Sequence, residues 1–414
     1  MTDGLIVWFT AVLGLGLLGL MFQDAFEVML LPRRVQRRVR VASLWFRASW
    51  TAWAWAGRRI PPGSRREAFL GPFGPGSMLL LFGIWATGLI VGFGLLYWAL
   101  QDVPRISPVF EQIYMSGVTF FTLGYGDVVP HAPAARVLSV VQAGSGIGFI
   151  AVVIGYLPVL YQFFSRREAH VIRLDGRAGS PPAAATLLVR HAQAGGLDQI
   201  DLLLREWEGW ASELLESHLS YPMLAYYRSQ HTNESWLAAL GCVMDTCALV
   251  LVGIQDMRPL QARMTFTMTR QVLVEMARSF GVRPSRYSGG DRLDAATYDA
   301  LERDLLTVGI DWSPGADGRE TLAALRSTYE PLLDGLANYL LLELPGWRPE
   351  DGASDNWEQG PRGLIARRLV EELSGRRGAA VPALPDAPSL PVGDPDLAGW
   401  RGLRRRLKPQ GGRS

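Results

Sequence analysis

The chain nearly lacks lysine and cysteine. Lys408 is the only lysine among 41 basic residues, and Cys242 and Cys247 are the only thiols. Two cysteines supply neither a disulfide framework nor a four-cysteine zinc site. Lying close together on one apolar stretch, they read as buried side chains. The lysine scarcity reads as coding bias. Charge is scarce as well: charged residues make up 19% of 414, against roughly 25% in soluble domains. The net charge of +2 gives no global argument for nucleic acid, and none is expected as a partner. There is no internal repeat, no Walker sequence, and no Gly-x-Gly-x-x-Gly after a strand as a dinucleotide fold requires. No Ser/His/Asp or Cys/His set stands out, so no enzyme activity and no organic cofactor are expected.

The missing charge is concentrated. Gly4 to Gln23, Ala68 to Gln101 and Val137 to Ser165 contain no charged residue. A bilayer core takes about 20 apolar helical residues, and each stretch supplies them. The first could be a signal peptide, but Asp3 precedes it and no clean small-residue cleavage site follows. It is therefore expected to remain as a membrane helix over 1–31. Arginine placement sets the orientation, because arginine resists translocation. Ten arginines lie between the first two stretches, and Arg166 and Arg167 follow the third. Only Arg105 and Arg136 lie between the second and third. Residues 32–67 and everything beyond 165 are thus expected inside the cell, with 101–135 outside, in a multi-pass plasma-membrane protein.

The outer loop is not simply polar. Residues 108–121 form an apolar helical stretch introduced by Ser107 and Pro108, too short to span and suited to a re-entrant half-helix. Thr122-Leu123-Gly124-Tyr125-Gly126-Asp127 follow immediately. This string resembles the selectivity filter of the bacterial two-transmembrane-helix potassium channels, within the pore-loop ion-channel family, with Leu123 where valine or isoleucine is usual. A dehydrating potassium ion needs a ring of oxygens in place of its water. Backbone carbonyls supply that ring only if backbone handedness alternates, which Gly124 and Gly126 permit because they lack a Cβ. The resemblance implies an inner oxygen ring from the Thr122 hydroxyl, and a Tyr125 ring bracing the loop against the pore helix. It also implies assembly as a homotetramer, since one chain carries one filter string. Glu111 and Asp127 would enrich cations at the mouth.

The flanks extend the resemblance over roughly 77–165. Arg136, Gln142 and Gly146 fall where the family places an arginine, an acidic residue and a hinge glycine, with Gln142 a departure. Gly144, Gly146 and Gly148 are hinge candidates, with close helix packing as the alternative, and Pro158 is a candidate second kink. Some family members pair the filter aspartate with a glutamate four residues before the filter threonine. Here that position is Val118, so Asp127 must find another partner.

Residues 33–67 carry ten arginines against one glutamate. Val35, Val39, Ala42, Phe46, Trp50 and Trp53 recur at helical spacing. A basic, tryptophan-rich helix suits the membrane surface and its anionic lipids. The alternative is packing against the channel itself.

From Arg166 to Gly375 there are 29 acidic residues against 21 arginines. The pattern predicts helices near 183–194, 197–217, 234–253, 259–280, 294–307, 319–342 and 357–374, with starts at Asp198, Asn233 and Pro259 and an end at Gly281. His218, Tyr221, Tyr226, Tyr227, Arg228, His231 and Trp236 cluster between two of them, more as packing residues than as a ligand site. His218, His231 and Asp245 match no short metal motif. Pro382, Pro385, Pro388, Pro391 and Pro395 punctuate an extended tail that ends in Arg401, Arg404, Arg405, Arg406 and Lys408.

The expected architecture is an α-helical membrane protein. It comprises an N-terminal helix (1–31), a basic interfacial helix (32–67), a pore unit (68–165), an all-helical cytoplasmic domain (166–375) and a disordered tail (376–414). The pore unit divides into outer helix 77–100, pore helix 108–121, filter 122–127 and inner helix 136–164. The expected activity is passive conduction of K+ past Thr122, Leu123, Gly124, Tyr125 and Gly126, supported by Asp127. Gating would answer a cytoplasmic ligand or protein that the sequence does not name; no arginine-studded voltage sensor is present. The alternatives are a nonselective cation channel, or a receptor or scaffold with a silent pore.

Overall fold

The computed structural model describes residues 2–31, 40–101, 108–231, 233–286, 290–349, 352, 355–358 and 363–375. Arg33, Arg34, Arg37, Arg38, Arg105, Ser107 and the tail 376–414 lie outside them. The chain divides into two units, Met1–Gly363 and Leu364–Ser414. In the second, the structure describes only the helix that begins at its edge, Gly363–Gly375.

Among the described residues, three helices are long and apolar enough to cross a bilayer. The first is α1, Thr2–Met29. Two helices follow: α2, Val41–Gly57, and the short α3, Ser64–Leu70, whose end enters the second charge-free stretch. The second apolar helix is α4, Phe73–Ala99, which starts one turn earlier than 77–100. The half-helix α5, Val109–Phe120, leads to the filter string. The third apolar helix is α6, Pro133–Ala178.

In lipid, apolar burial does not drive helices together, so close backbone approach matters. The α1–α4 contact uses it. A Cβ on Gly14 would stand 2.9 Å from the Gly92 carbonyl oxygen, and one on Gly88 would stand 2.6 Å from Met21. The two chain ends nearest the basic linker are tied by Asp24, which is fully buried. Its Oδ2 accepts from the Ala42 amide at the start of α2 and from the Trp85 indole of α4, each at 2.9 Å. One carboxylate at the end of α1 thereby caps α2 and fastens α4.

The inner helix departs most from expectation. Instead of closing at 164, α6 runs unbroken for 46 residues, about 69 Å at 1.5 Å per residue. Arg166 and Arg167 change its surroundings without ending it, because arginine is a good helix former. Pro158 lies inside it.

The remainder of the first unit is helical: α7 Ala184–Gln193, α8 Gln199–Ser220, α9 Trp236–Val252, α10 Pro259–Phe280, α11 Ala295–Thr307, α12 Gly318–Ser327 and α13 Glu330–Leu340; α14 is Gly363–Gly375. A 3-10 turn, Pro222–Tyr226, separates α8 from α9. Among the described residues there is no strand, only an isolated bridge between Ile254 and Trp312. The predicted helix 319–342 is two helices, because Pro331 lacks the N–H needed to continue α12 and its ring opposes the carbonyl four residues back. The predicted start at Asn233 moves to Ser235, whose hydroxyl accepts the Ala238 amide at 3.0 Å. Asp198 stands at its cap position without a side-chain cap bond. Gly281 ends α10 at φ +66° as expected. Every residue from Trp236 to Val250 is buried, so α9 is the axis of this bundle, and both thiols sit inside it.

One face of the α2 tryptophan stripe packs on protein. Trp50 is 2% exposed and packs on Phe73, Tyr226 and Tyr339, and its indole donates to the Tyr339 carbonyl at 3.0 Å. Trp45 donates to the Ser77 carbonyl at 2.9 Å. The stripe meets protein on one side because the bundle offers aromatic partners and backbone acceptors there. Trp55, 62% exposed under the Arg59 guanidinium, faces outward.

Candidate functional site

The loop after α5 has the backbone alternation that its residues require. Thr122, Gly124 and Gly126 have φ of +57°, +65° and +77°, and Leu123 and Tyr125 between them are not left-handed. Alternating handedness turns successive peptide planes over, so neighbouring carbonyls can share one side. For the glycines this is inexpensive; Thr122 is a β-branched residue held where such residues are rarely found. The Thr122 conformation was not foreseen from the sequence. The loop grows directly from the half-helix: the Phe121, Thr122 and Leu123 amides donate back to the Gly117, Thr119 and Val118 carbonyls at 3.0, 3.1 and 2.8 Å. The negative end of α5 therefore lies against the start of the loop.

Asp127 finds its partner in Tyr114. The Tyr114 hydroxyl donates to Asp127 Oδ2 at 2.9 Å, and the Val128 amide donates to Oδ1 at 3.0 Å. A tyrosine one turn nearer the start of α5 than Val118 thus takes up the carboxylate. The Tyr125 ring does not brace its own chain: it is 68% exposed, and Leu123 is 56% exposed. Within a single chain, the apolar parts of the loop are uncovered.

Behind the loop, Gln142 of α6 is fully buried. Its Nε2 donates to the Ser116 carbonyl at 2.9 Å and hydroxyl at 2.6 Å, and its Oε1 accepts from Tyr97 at 2.7 Å. The Ser116 hydroxyl donates onward to the Ile90 carbonyl at 2.7 Å. One amide therefore joins α4, α5 and α6. A carboxylate could accept from Tyr97 but could not donate to Ser116 unless protonated, which explains glutamine here. Arg136 donates to the Pro130 carbonyl at 3.2 Å, fixing the turn into α6.

The three glycines of α6 separate. A Cβ on Gly146 would meet the Phe120 carbonyl oxygen at 2.1 Å, so this glycine lets α6 touch the end of α5. Gly144 and Gly148 would meet nothing within 4 Å. Gly146 thus serves close packing, a role compatible with a hinge at the same place.

Farther along α6, Arg167 forms a clamp that the sequence reading took only as a charge marker. It is 4% exposed; it donates to the Leu224 and Tyr227 carbonyls at 2.8 Å each and pairs with Glu168 at 2.9 Å. The Tyr156 hydroxyl reaches Met223 Sδ at 3.5 Å. The 3-10 turn is thus gripped by the same helix that leaves the loop.

The aromatic and histidine cluster resolves into packing. His218 is buried beside Trp236, with ring centroids 5.4 Å apart, and burial holds its pKa down to about 3. Tyr226 joins Trp50 and Phe73; Arg228 pairs with Glu67 at 3.5 Å. Asp245 belongs to a different network, accepting from Tyr329 at 2.7 Å and pairing with buried Arg292, whose charged form it favours. His218, His231 and Asp245 form no common metal site, and no metal-holding group occurs among the described residues.

Comparison with known proteins agrees on the class. Residues 84–162 match a family model described as "Ion channel". "Uncharacterized membrane protein YdjJ" of Bacillus subtilis is 26% identical over 50% of this chain and 61% of its own length. "Putative potassium channel protein YugO" of the same organism is 30% identical over 23% of this chain and 28% of its own length. The chain therefore spans less than two thirds of either relative. No solved structure gives a significant match. The described residues form an all-α protein with three helices apolar enough to cross a membrane, and its stretch 84–162 is similar to the ion-channel family model.

Proposed function

We propose that this chain is one subunit of a homotetrameric, potassium-selective channel of the plasma membrane, conducting K+ passively and regulated through its helical region. The observation that carries the reading is the left-handed backbone at Thr122, Gly124 and Gly126, spaced by ordinary residues, at the end of a half-helix between two apolar helices. Copies of that loop about one axis would offer stacked oxygen rings from Thr122 to Gly126 to a dehydrated ion, with potassium as cargo and no chemistry performed on it. The uncovered Leu123 and Tyr125 side chains support assembly around an axis, where neighbouring copies would cover them. The name of the second Bacillus relative points the same way.

On this reading α4 and α6 are the outer and inner helices, and the arginine-rich side faces the cytoplasm. Gly144, Gly146, Gly148 and Pro158 stay candidates for bending in α6, and Gly146 is a contact point as well. Potassium flux into liposomes holding the wild type or Gly124→Ala tests the proposal. The wild type should pass potassium, and the variant should lose flux while keeping its oligomer. Equal flux from both would overturn the filter assignment. Equal passage of sodium would make the pore nonselective, and no flux at all would favour the silent scaffold.

A further inference from the structure

Where the end of α1, the start of α2 and the end of α10 meet, there is a cavity of about 420 Å³, within the range of small-ligand sites. Among the described residues, three guanidinium groups line it, Arg40, Arg47 and Arg278, against one carboxylate, Glu27. Arg40 stands 3.5 Å from Glu27, and Arg278 pairs with Glu275 at 2.8 Å. Arg47 has no carboxylate partner among the described residues. The remaining lining is largely apolar and aromatic, including Val28 and Leu31 and the stacked pair Phe46 and Tyr226.

The position of the cavity matters as much as its lining. Val28 belongs to the last turn of the apolar helix Gly4–Met29, and Leu31 follows it. The cavity therefore lies at the depth where hydrocarbon gives way to headgroups. Excess guanidinium there, with an apolar wall on the membrane side, is complementary to a phosphate carrying a greasy chain. A neutral headgroup would leave Arg47 without a counter-charge, and a bare cation would be repelled.

The geometry points to this cavity as a binding site for a phosphate-bearing amphiphile, with Arg47 and Arg278 receiving the phosphate and Val28 and Leu31 receiving the chain. The same phosphate chemistry could arrive on an anionic phospholipid or on a soluble phosphate ester. The site also has a route to the long helix. Pro222, Met223 and Tyr226 line the cavity and belong to the 3-10 turn that Arg167 grips. An occupant presses on that turn, and the turn is held by α6. The binding statement stands by itself; its effect on conduction rests on the potassium-channel reading.

The test uses the full chain in detergent micelles doped with phosphatidylglycerol or phosphatidylcholine, with retained lipid counted by native mass spectrometry. The wild type should retain phosphatidylglycerol in preference to phosphatidylcholine. Arg47→Gln and Arg278→Gln should each lower that retention about fivefold, the loss of one surface arginine's attraction. Ser43→Trp, at an exposed position of the lining, should abolish it by filling the space. Arg263→Gln, exposed on α10 away from the cavity, should change nothing. Displacement by millimolar glycerol phosphate would identify soluble esters as a source; resistance to it would identify the lipid. Retention unchanged in both Arg47→Gln and Ser43→Trp would overturn the site. Potassium flux is measured separately, so retained lipid with no flux would count against the conduction reading and not against the site.

Discussion

Gln142 reaches out of α6 and donates to Ser116 twice, to its carbonyl at 2.9 Å and its hydroxyl at 2.6 Å. The other end of the same amide accepts from Tyr97 at 2.7 Å. All three residues lie behind the filter loop, and Gln142 and Ser116 are fully buried, so water cannot replace a lost partner. Gln142→Leu keeps the volume, strands the Tyr97 hydroxyl and removes both bonds to Ser116, whose carbonyl keeps its partner within α5. A stranded buried group costs about 1–3 kcal/mol, so the melting temperature of the detergent-solubilised protein should drop by several degrees. Tyr97→Phe removes one bond and should cost about 1 kcal/mol. A leucine variant that melts with the wild type would show the amide to be idle.

The glycines of α6 should part company under alanine scanning. Gly146→Ala drives a Cβ into the Phe120 carbonyl, and overpacking of this kind costs about 1–3 kcal/mol. Gly144→Ala and Gly148→Ala meet open space and should gain up to about 1 kcal/mol of helix propensity. Thermal melts of the three variants decide the matter. If Gly144→Ala or Gly148→Ala lowers flux while raising stability, bending resides there. A Gly146→Ala protein as stable as the wild type would contradict the contact described here.

Acid should weaken the bundle through His218. Its pKa is depressed to about 3 by burial, with Arg167 adding to the effect, whereas an unfolded histidine titrates near 6.5. Between those values the unfolded chain holds a proton that the folded chain refuses. Stability is therefore complete above about pH 6.5 and falls as pH drops through the window, by up to about 1.4 kcal/mol per pH unit. Glu234 acts with the opposite sign, because burial raises its pKa and protonation relieves the cost. Comparing wild type with His218→Phe cancels the Glu234 contribution. The variant's melting temperature should fall less steeply from pH 6.5 to pH 4; parallel curves would show that His218 does not titrate as described.

Two tryptophans of α2 test what that helix packs against. Trp50→Ala opens a hole where α2, α4 and the bundle meet and should cost about 3–5 kcal/mol. Trp55→Ala should cost under about 1 kcal/mol, the scale of an exposed cation–π contact with Arg59. If lipid were the main partner of the stripe, the two losses would be similar in detergent and would grow with anionic lipid.

The sequence was most legible where one physical demand acts alone. Charge-free runs revealed the three apolar helices, and the alternation of glycine with larger residues at 122–126 revealed a loop of special handedness. It was least legible where a demand needs a distant partner. Nothing local indicates that Asp24 would cap α2, because the Ala42 amide lies 18 positions away. Arg167 looked like a boundary marker, since an arginine after an apolar run usually is one; its two carbonyl partners lie 57 and 60 positions on. The tryptophan stripe was visible as a stripe, but amphipathicity does not say whether its apolar face meets lipid or protein. The length of α6 was hidden for a related reason. Hydropathy reports where the surroundings change, and a helix can cross that border intact.

The filter assignment is tested most directly by the reversal potential of reconstituted channels with potassium on one side and sodium on the other. The account predicts a reversal potential far from zero, of the sign set by potassium alone. A current that reverses near zero would contradict the selectivity ascribed to Thr122 through Gly126.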